Sequence, residues 1–464
     1  MGSLPPGPRL PASLQIALMM RWWSACAFAW RRRYGDVFTV RLGGFGDAVY
    51  LADPDDIKTV FAGDPRIYHA GEANSMLAGV LGRSSVLVVD GEVHRDRRRL
   101  MLAPFHRDAV ARQSGLIAQI AADNVAGWPV GTEFPVAPKM AQITLEVILR
   151  TAIGASDPDR LGALRAALPR LLSLSAFDTV AIARPRLQRR WLWRSLRRNL
   201  AEADALLYAE IAERRVDPNL AERPDALAML MRAADQQGRQ MTDTELRDQL
   251  MTLLLAGHET TANSLSWALE RLTRHPATLA RAVAAAEASA SGDPAGDDYL
   301  DAVAKETLRI RPVIFDVGRV LKEPVEVGGY LLPAGVTVVP GIGLVHARDD
   351  VYDDAAQFRP ERMLGATLSP TTWLPFGGGN RRCLGANLAL AEMRIVLREV
   401  LCRADLQTTT APGERPRVRG VIQQPHRGGR IRLRALRAAQ IDTERAAHKD
   451  TERAAHKDTA NLSR

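Results

Sequence analysis

Cysteine is nearly absent. In 464 residues only Cys26, Cys383 and Cys402 occur, and no two are spaced as C-x-x-C. A disulfide framework and an iron–sulfur cluster are excluded, and a reducing compartment suits three separate thiols. Lysine is scarce too, at six residues, so arginine carries the formal charge of +9. Arginine favours carboxylates, phosphates and aromatic faces, but no nucleic-acid-reading motif accompanies it, and no nucleic-acid partner is expected. No run of 18 apolar residues exists: Arg21 ends the segment Leu14–Met20, and Arg31-Arg32-Arg33 ends Ala25–Trp30. No transmembrane anchor is therefore expected, and no small-residue cleavage pattern marks an export signal. The expected location is cytoplasmic, with the N-terminal amphipathic stretch as the place for peripheral contact with a membrane. There is also no G-x-G-x-x-G loop between strand and helix, hence no fused reductase.

Hydrophobic residues make up 46% of the chain and charged residues 25%, enough for a large core and ordinary for a soluble protein. Helical periodicity runs over 14–33, 54–62, 91–101, in pieces through 107–127, 139–153, 160–175 and 195–215, and over 243–274, 277–290, 298–310 and 384–401. Short β-like runs stand at Val37–Leu42 and Ala48–Leu51 and within 313–340, with loops over 66–90 and 348–379. The fold class is mainly α with small antiparallel β-sheets, in one large unit over 1–435. The tail, 436–464, carries DTERAAHK at Asp442–Lys449 and again at Asp450–Lys457; two copies are too few for a solenoid, and disorder or a lone helix is expected. Residues 184–198 interleave Arg184, Arg186, Arg189, Arg190, Arg194, Arg197 and Arg198 with Trp191 and Trp193, which reads as surface, as a guide for an anionic amphiphile or as a contact with membrane.

One cysteine has an unusual setting. Phe376-Gly-Gly-Gly-Asn-Arg-Arg-Cys383-Leu-Gly385 is a glycine-rich loop running into a helix. Free N–H groups at a helix start stabilise an anion and lower a thiol pKa, and Arg381 and Arg382 add positive charge. The glycines permit tight turning and close approach of a flat ligand. Such a thiolate suits a nucleophile, a redox thiol or a metal ligand; a buried, inert cysteine is the bland alternative. A nucleophile lacks an evident base, a redox pair would need Cys402 nineteen residues on, and zinc needs more ligands than stand nearby. Haem needs one axial protein ligand.

The helix over 243–274 opens with Thr242 and Glu245 in capping-box spacing and ends at His275-Pro276. Its centre, Ala256-Gly257-His258-Glu259-Thr260-Thr261, puts a glycine and an acid where helix quality suffers. Gly257 can make room for a small ligand or for a crossing helix. Thr260 can bind that ligand or bond back to its own backbone, and Glu259 can carry protons. His258-Glu259 is half of a zincin motif, but position 262 is Ala, which removes that reading. Glu306 and Arg309 share a helix face, and Arg362, in Phe358-Arg-Pro-Glu-Arg362, can join them from the loop side.

In order and spacing these features resemble the cytochrome P450 family, over about residues 5–435. Phe376, Gly379, Arg381, Cys383 and Gly385 match its haem-binding signature, Ala256-Gly257-x-Glu259-Thr260 its oxygen-activation motif, and Glu306, Arg309 and Arg362 its structural triad. His94 and Arg98, in HRDRRRL, and Arg319 match its propionate contacts. The wording is similar to soluble bacterial, particularly actinobacterial, members. The resemblance implies a triangular-prism domain with a long central helix, haem b ligated by Cys383, and proton delivery through Glu259 and Thr260. It implies hydroxylation of unactivated C–H bonds with dioxygen and two electrons from a ferredoxin or flavodoxin fed by an NAD(P)H-dependent reductase. Arg95, Arg97 and Arg99 are candidates for docking an acidic partner. The pocket is expected from 66–90, 160–200, 249–261 and 313–317, where Leu253, Leu254, Val313, Ile314, Phe315 and Val317 imply a lipophilic substrate such as a fatty acid, steroid, terpene or alkane. Asp316 would read a polar group or face solvent. A monomer is expected. The alternatives are a peroxide-using or otherwise non-monooxygenase haem-thiolate enzyme, and a haem-binding sensor or carrier.

Overall fold

The computed structural model describes residues 4–43, 46–154, 157–172 and 194–437. Residues 184–193 of the Arg/Trp segment and the repeat tail from 438 on lie outside them; Arg194, Arg197 and Arg198 stand exposed at a helix start.

The helices used below are α1 (Ala12–Tyr34), α2 (Pro54–Ala62), α3 (Gly91–Leu100), α4 (Ser114–Ala126), α5 (Ala137–Ile148), α6 (Pro158–Leu172), α7 (Arg194–Arg215), α8 (Asp243–Thr273), α9 (Pro276–Ala290), α10 (Pro294–Ile310) and α11 (Ala386–Arg403). Helix α8 is the axis of the fold. Its 31 residues span about 46 Å at ~1.5 Å per residue. It starts from a complete capping box, the Thr242 hydroxyl receiving the Glu245 N–H while the Glu245 carboxylate receives the Thr242 N–H, which satisfies two donors a helix start leaves unpaired. It packs on α5, α7, α10 and α11; α9 packs on α10 and α11, and α11 on α4. One apolar core runs through all of these, with Leu265, Leu269, Leu272, Ile143, Leu300, Val303, Val396 and Val400 fully buried.

The strands are β1 (Val37–Arg41), β2 (Asp47–Leu51), β3 (Tyr68–His69), β4 (Glu133–Pro135), β5 (Arg319–Leu321), β6 (Val325–Val327), β7 (Tyr330–Leu332), β8 (Thr337–Pro340), β9 (Ala404–Leu406), β10 (Pro416–Arg419), β11 (Ile422–Pro425) and β12 (Arg430–Leu436). They form a five-stranded sheet in the order β1-β2-β8-β5-β3, a three-stranded sheet β4-β12-β9, and the hairpins β6–β7 and β10–β11. Pairing is antiparallel except between β2 and β8, which run parallel with Val49 opposite Val338. That departs from the purely antiparallel expectation. The two strands lie almost three hundred residues apart, so no hairpin dictates their direction. The loop expected over 66–90 holds β3 and short helices at Ala70–Ala73 and Ala78–Leu81, too short to leave a periodic signal.

Candidate active site

Helix α8 is buried along most of its length, yet at its middle Leu255, Gly257, Glu259 and Thr260 keep accessible surface and Ala256 is exposed. Accessible surface in mid-helix on the axis of a domain marks an interior space. Cys383 has the same character: its surface is accessible, yet enough protein lies around it that desolvation dominates its thiol. Leu255 of α8, with Phe376 and Leu384 of the cysteine loop, border the same apolar core.

The loop 376–385 is shaped by its neighbours. Gly377 and Gly379 have φ of +66° and +64°, the left-handed region that glycine enters without strain. A Cβ on Gly378 would lie 2.2 Å from the Phe61 ring, and one on Gly379 2.0 Å from the Phe61 carbonyl oxygen. Gly378 and Gly379 thus give their space to Phe61 of α2, and the close approach they permit is to protein as well as to any flat ligand. The Cys383 N–H donates to the Phe376 carbonyl at 2.9 Å. Helix α11 begins at Ala386 with Gly385 as its cap, and the Gly385 N–H donates to the Cys383 sulfur. The expectation of a lowered thiol pKa is corrected in the protein alone. Burial pushes the thiol up and outweighs Gly385 N–H, Arg382 and Arg98, which pull it down. Cys26 and Cys402 are also free, Cys402 buried and pushed up to about 11 by burial and the neighbouring Glu399, so neither is a ready thiolate.

Next to the loop stands a cluster of cations. His94, 2% exposed, and Arg98 one turn on come from α3, Arg319, 6% exposed, from β5, and Arg381 from the loop. Burial, then Arg381, Arg98 and Arg319, holds the His94 imidazole neutral down to about 3. Burial, with repulsion from Arg381, lowers Arg319 to about 10; burial, with repulsion from Arg98, lowers Arg381 to about 10. The one nearby carboxylate, Asp90, pairs with Arg381 and accepts the Gly71 and Glu72 N–H groups at 2.8 Å each. Arg381 also donates to the Val86 and Val89 carbonyls at 3.1 and 2.6 Å. Among the described residues no carboxylate pairs with Arg98 or Arg319; the Arg319 guanidinium donates to the Gly318 carbonyl at 2.8 Å and lies over the Phe61 ring. Packed guanidiniums short of counter-charge are costly unless an anion joins them. Their chemistry fits a flat cofactor bearing two carboxylates, with a thiol at its metal, which is haem b.

On α8 the Thr260 hydroxyl donates to its own Ala256 carbonyl at 2.6 Å, the local bond foreseen as one alternative; its oxygen can still accept. Burial raises the Glu259 carboxyl, and Arg419 opposes the rise. His258 faces away into the core, its Nδ1 2.9 Å from the Thr144 hydroxyl, and burial keeps it neutral down to about 4. Among the described residues no three His, Cys, Asp or Glu side chains gather to hold a metal. A Cβ on Gly257 would stand 2.9 Å from Ile148 Cδ1 of α5. The side-chain space at Gly257 therefore meets the crossing helix α5, the packing alternative, while the residue keeps accessible surface.

Glu306, Arg309 and Arg362 come together. Arg309 donates to Glu306 Oε2 at 2.8 Å and Oε1 at 2.7 Å, and to the carbonyls of His346, Ala355 and Gln357 at 2.8, 2.8 and 3.1 Å. Glu306 Oε1 also accepts from Arg362 Nε at 3.1 Å and from the Arg359 N–H at 3.0 Å. His346 in turn accepts the Leu374 N–H at its Nε2, 2.9 Å away, which ties this knot to the strand of chain leading into the cysteine loop.

Three expectations change with the geometry. Arg97 is buried and paired with Glu245, so it is no docking residue; Arg95 and Arg99 are exposed but face Glu92 and Asp96. Asp316 does not face solvent. Its Oδ2 accepts from Trp23 Nε1 at 2.7 Å and from the Tyr50 hydroxyl at 3.0 Å, and burial raises the carboxyl to about 6. The hairpin β10–β11, which brings Arg419 near Glu259, was not among the expected pocket segments. Its strand–glycine–strand pattern, Pro416-Arg-Val-Arg-Gly-Val-Ile-Gln-Gln-Pro425, was visible; its partner was not.

The family profile described as Cytochrome P450 matches residues 3–429. Cytochrome P450 135B1 of Mycobacterium bovis is 68% identical over 434 residues, covering 94% of this chain and 92% of the relative. Cytochrome P450 135A1 of Mycobacterium tuberculosis is 40% identical over 433 residues, covering 93% and 95%. Among solved structures, the retinoic acid bound cyanobacterial CYP120A1 superposes with a TM-score of 0.80 at 24% identity, over 93% of this chain and 99% of its own. The cytochrome P450DA heme domain superposes with a TM-score of 0.81 at 23% identity, over 94% and 99%. These two share the fold.

Proposed function

The chain belongs to the cytochrome P450 family, and on that premise we propose that it hydroxylates unactivated C–H bonds of a lipophilic substrate, taking electrons from a separate ferredoxin or flavodoxin. The carrying observation is the pairing of a desolvated thiol at the mouth of α11 with a buried cation cluster short of carboxylates. Haem b supplies the activation of dioxygen when bound, its chemistry tuned by the axial thiolate.

The residues of this chain then have distinct tasks. Cys383 would hold the iron through its sulfur, and the Gly385 N–H and the nearby Arg382 and Arg98 would offset part of the cost of its negative charge. His94, Arg98, Arg319 and Arg381 hold the two propionates by charge-assisted hydrogen bonds. Phe376, Gly379 and Gly385 shape the loop that presents the sulfur. Thr260, turned toward its own backbone, offers an acceptor for water, and Glu259, whose proton affinity burial raises, would relay protons to it. Apolar side chains from α8 and from 313–317 exclude water and orient the substrate. Electrons arrive from outside, and exposed Arg382, next to Cys383, offers positive charge to an acidic partner.

The test is the absorption spectrum of the reduced, carbon-monoxide-bound protein. The red-shifted thiolate band is expected in the wild type and absent in Cys383→His, while steady product formation with ferredoxin and NAD(P)H exceeds that with peroxide alone. Haem bound through nitrogen in the wild type, or no haem bound at all, refutes the proposal.

A further inference from the structure

Arg419 stands at the end of β10, and its charge reaches Glu259 in the middle of α8. Three ties place it there. Trp267 Nε1 of α8 donates to the Gln423 carbonyl at 3.4 Å. The Gln423 N–H donates to the Val313 carbonyl at 2.8 Å. The Glu414 N–H at the hairpin's root donates to Glu270 Oε1 at 2.8 Å, and Glu414 itself, fully enclosed, accepts the N–H groups of Arg427, Gly429 and Arg430. The root of the hairpin is thus pinned to the far half of α8, and β11 packs along that helix. From Trp267 back to Glu259 is eight residues, about 12 Å at ~1.5 Å each. From Gln423 to the turn at Gly420–Val421 is two to three residues of strand, about 7–10 Å at ~3.3 Å each. The turn therefore lies toward the Glu259 end of α8, and the charge of Arg419 acts on Glu259 from there. In the register Arg419 opposes Ile422, and Gly420, with φ of +61°, lets the chain reverse.

Arg419 is part-buried and makes no hydrogen bond or ion pair among the described residues, whereas most buried arginines here are tied to carboxylates or carbonyls. Apolar residues neighbour it in the hairpin, Val421 exposed at the turn and Ile422 opposite it in the register, and the hairpin is bonded to the Val313 segment and packs on α1. A guanidinium held beside an apolar wall, with its fork unfilled, is the complement of an amphiphile with an acid head.

We infer that Arg419 is a specificity-determining residue that binds the carboxylate of a lipophilic acid substrate. The inference rests on the lipophilic-substrate reading above and narrows it to acids, setting aside neutral alkanes, terpenes and steroids. Glu259 is the competing carboxyl for the same cation, so an acid that takes Arg419 also releases Glu259 from its field.

Spin-state titration of the haem-loaded full chain with tetradecanoic acid and with its methyl ester reads the preference directly. The wild type is expected to bind the acid about tenfold or more tightly than the ester, as one desolvated charge-assisted contact gives. Arg419→Gln is expected to bring the two within about twofold, and Arg419→Lys to keep the acid preferred by a smaller ratio. The ratio within one variant does not depend on how much of it folds. Arg419→Gln with the wild-type ratio overturns the inference, and so does a wild type that prefers the ester or responds to neither. Loss of the red-shifted carbon-monoxide band in the wild type would instead remove the haem-thiolate reading beneath it.

Discussion

Replacing Glu306 by Gln leaves size and one acceptor in place and removes only charge. Glu306 is fully buried, and Arg309 beside it is 1% exposed. Two guanidiniums and the Arg359 N–H converge on its carboxylate. After the change Arg309 keeps its three carbonyl acceptors, while its two bonds to Glu306 lose their charge and one must face an amide nitrogen. Removing one partner of a buried ion pair costs about 3–5 kcal/mol, because the other charge stays buried. Domains are stable by about 5–15 kcal/mol, so the loss is a large share of the total. It falls on the segment 346–363, and through His346 and Leu374 on the approach to Cys383. Urea denaturation followed by circular dichroism, with haem content measured in parallel, is the assay. Glu361→Gln is the control: Glu361 and its partner Arg281 are 44% and 53% exposed at 3.1 Å, and such a pair is worth about 1 kcal/mol at most. If Glu306→Gln shifts stability no more than Glu361→Gln does, the knot does not hold the fold as argued.

Glu392→Gln is expected to stabilise, in a pH-dependent way. Glu392 is 3% exposed, its Oε1 has no partner, and burial raises its carboxyl to about 8. The folded protein keeps a proton that the unfolded chain releases above pH 4.5, so wild type loses stability as pH rises from 4.5 to about 8. The gain from Gln should be near zero at pH 4.5 and on the order of 1–3 kcal/mol by pH 8; a gain that does not change with pH would be inconsistent with this. Gly379→Ala should abolish haem loading, since its Cβ meets the Phe61 carbonyl at 2.0 Å, while Gly377→Ala, with nothing within 4 Å, pays only about 1–2 kcal/mol for its backbone; equal effects in a haem-content assay would refute the distinction. Gly257→Ala is expected to cost about 1–3 kcal/mol by pressing on Ile148, and Ile148→Val in the same chain to recover part of it; no recovery in denaturation would mean that the space at Gly257 is not set by α5.

Elements whose cause is local were legible in the chain. Thr242, Glu245 and the His275-Pro276 pair bounded α8 to within a residue because caps and proline act over one turn. The Phe376–Gly385 loop, the Glu306–Arg309 spacing and the Gly257–Thr260 centre were visible for the same reason. The direction of β8 against β2, the burial of Arg97 and the seat of Asp316 between Trp23 and Tyr50 were not. Each depends on a partner that stands far off in sequence and leaves no periodic trace.

The thiol shows where the division falls. The order of residues alone decided that a cysteine follows two arginines at the mouth of a helix, and hence which sulfur is proposed to hold the metal. Only tertiary packing decided that burial outweighs the helix start and the nearby cations in setting its proton affinity. Packing likewise gathered His94, Arg98, Arg319 and Arg381 from three distant segments, and it brought the charge of Arg419 within range of Glu259. Caps and tight turns are written in near neighbours; long-range hydrogen bonds, solvation and Coulomb fields belong to whatever the folded chain puts within reach.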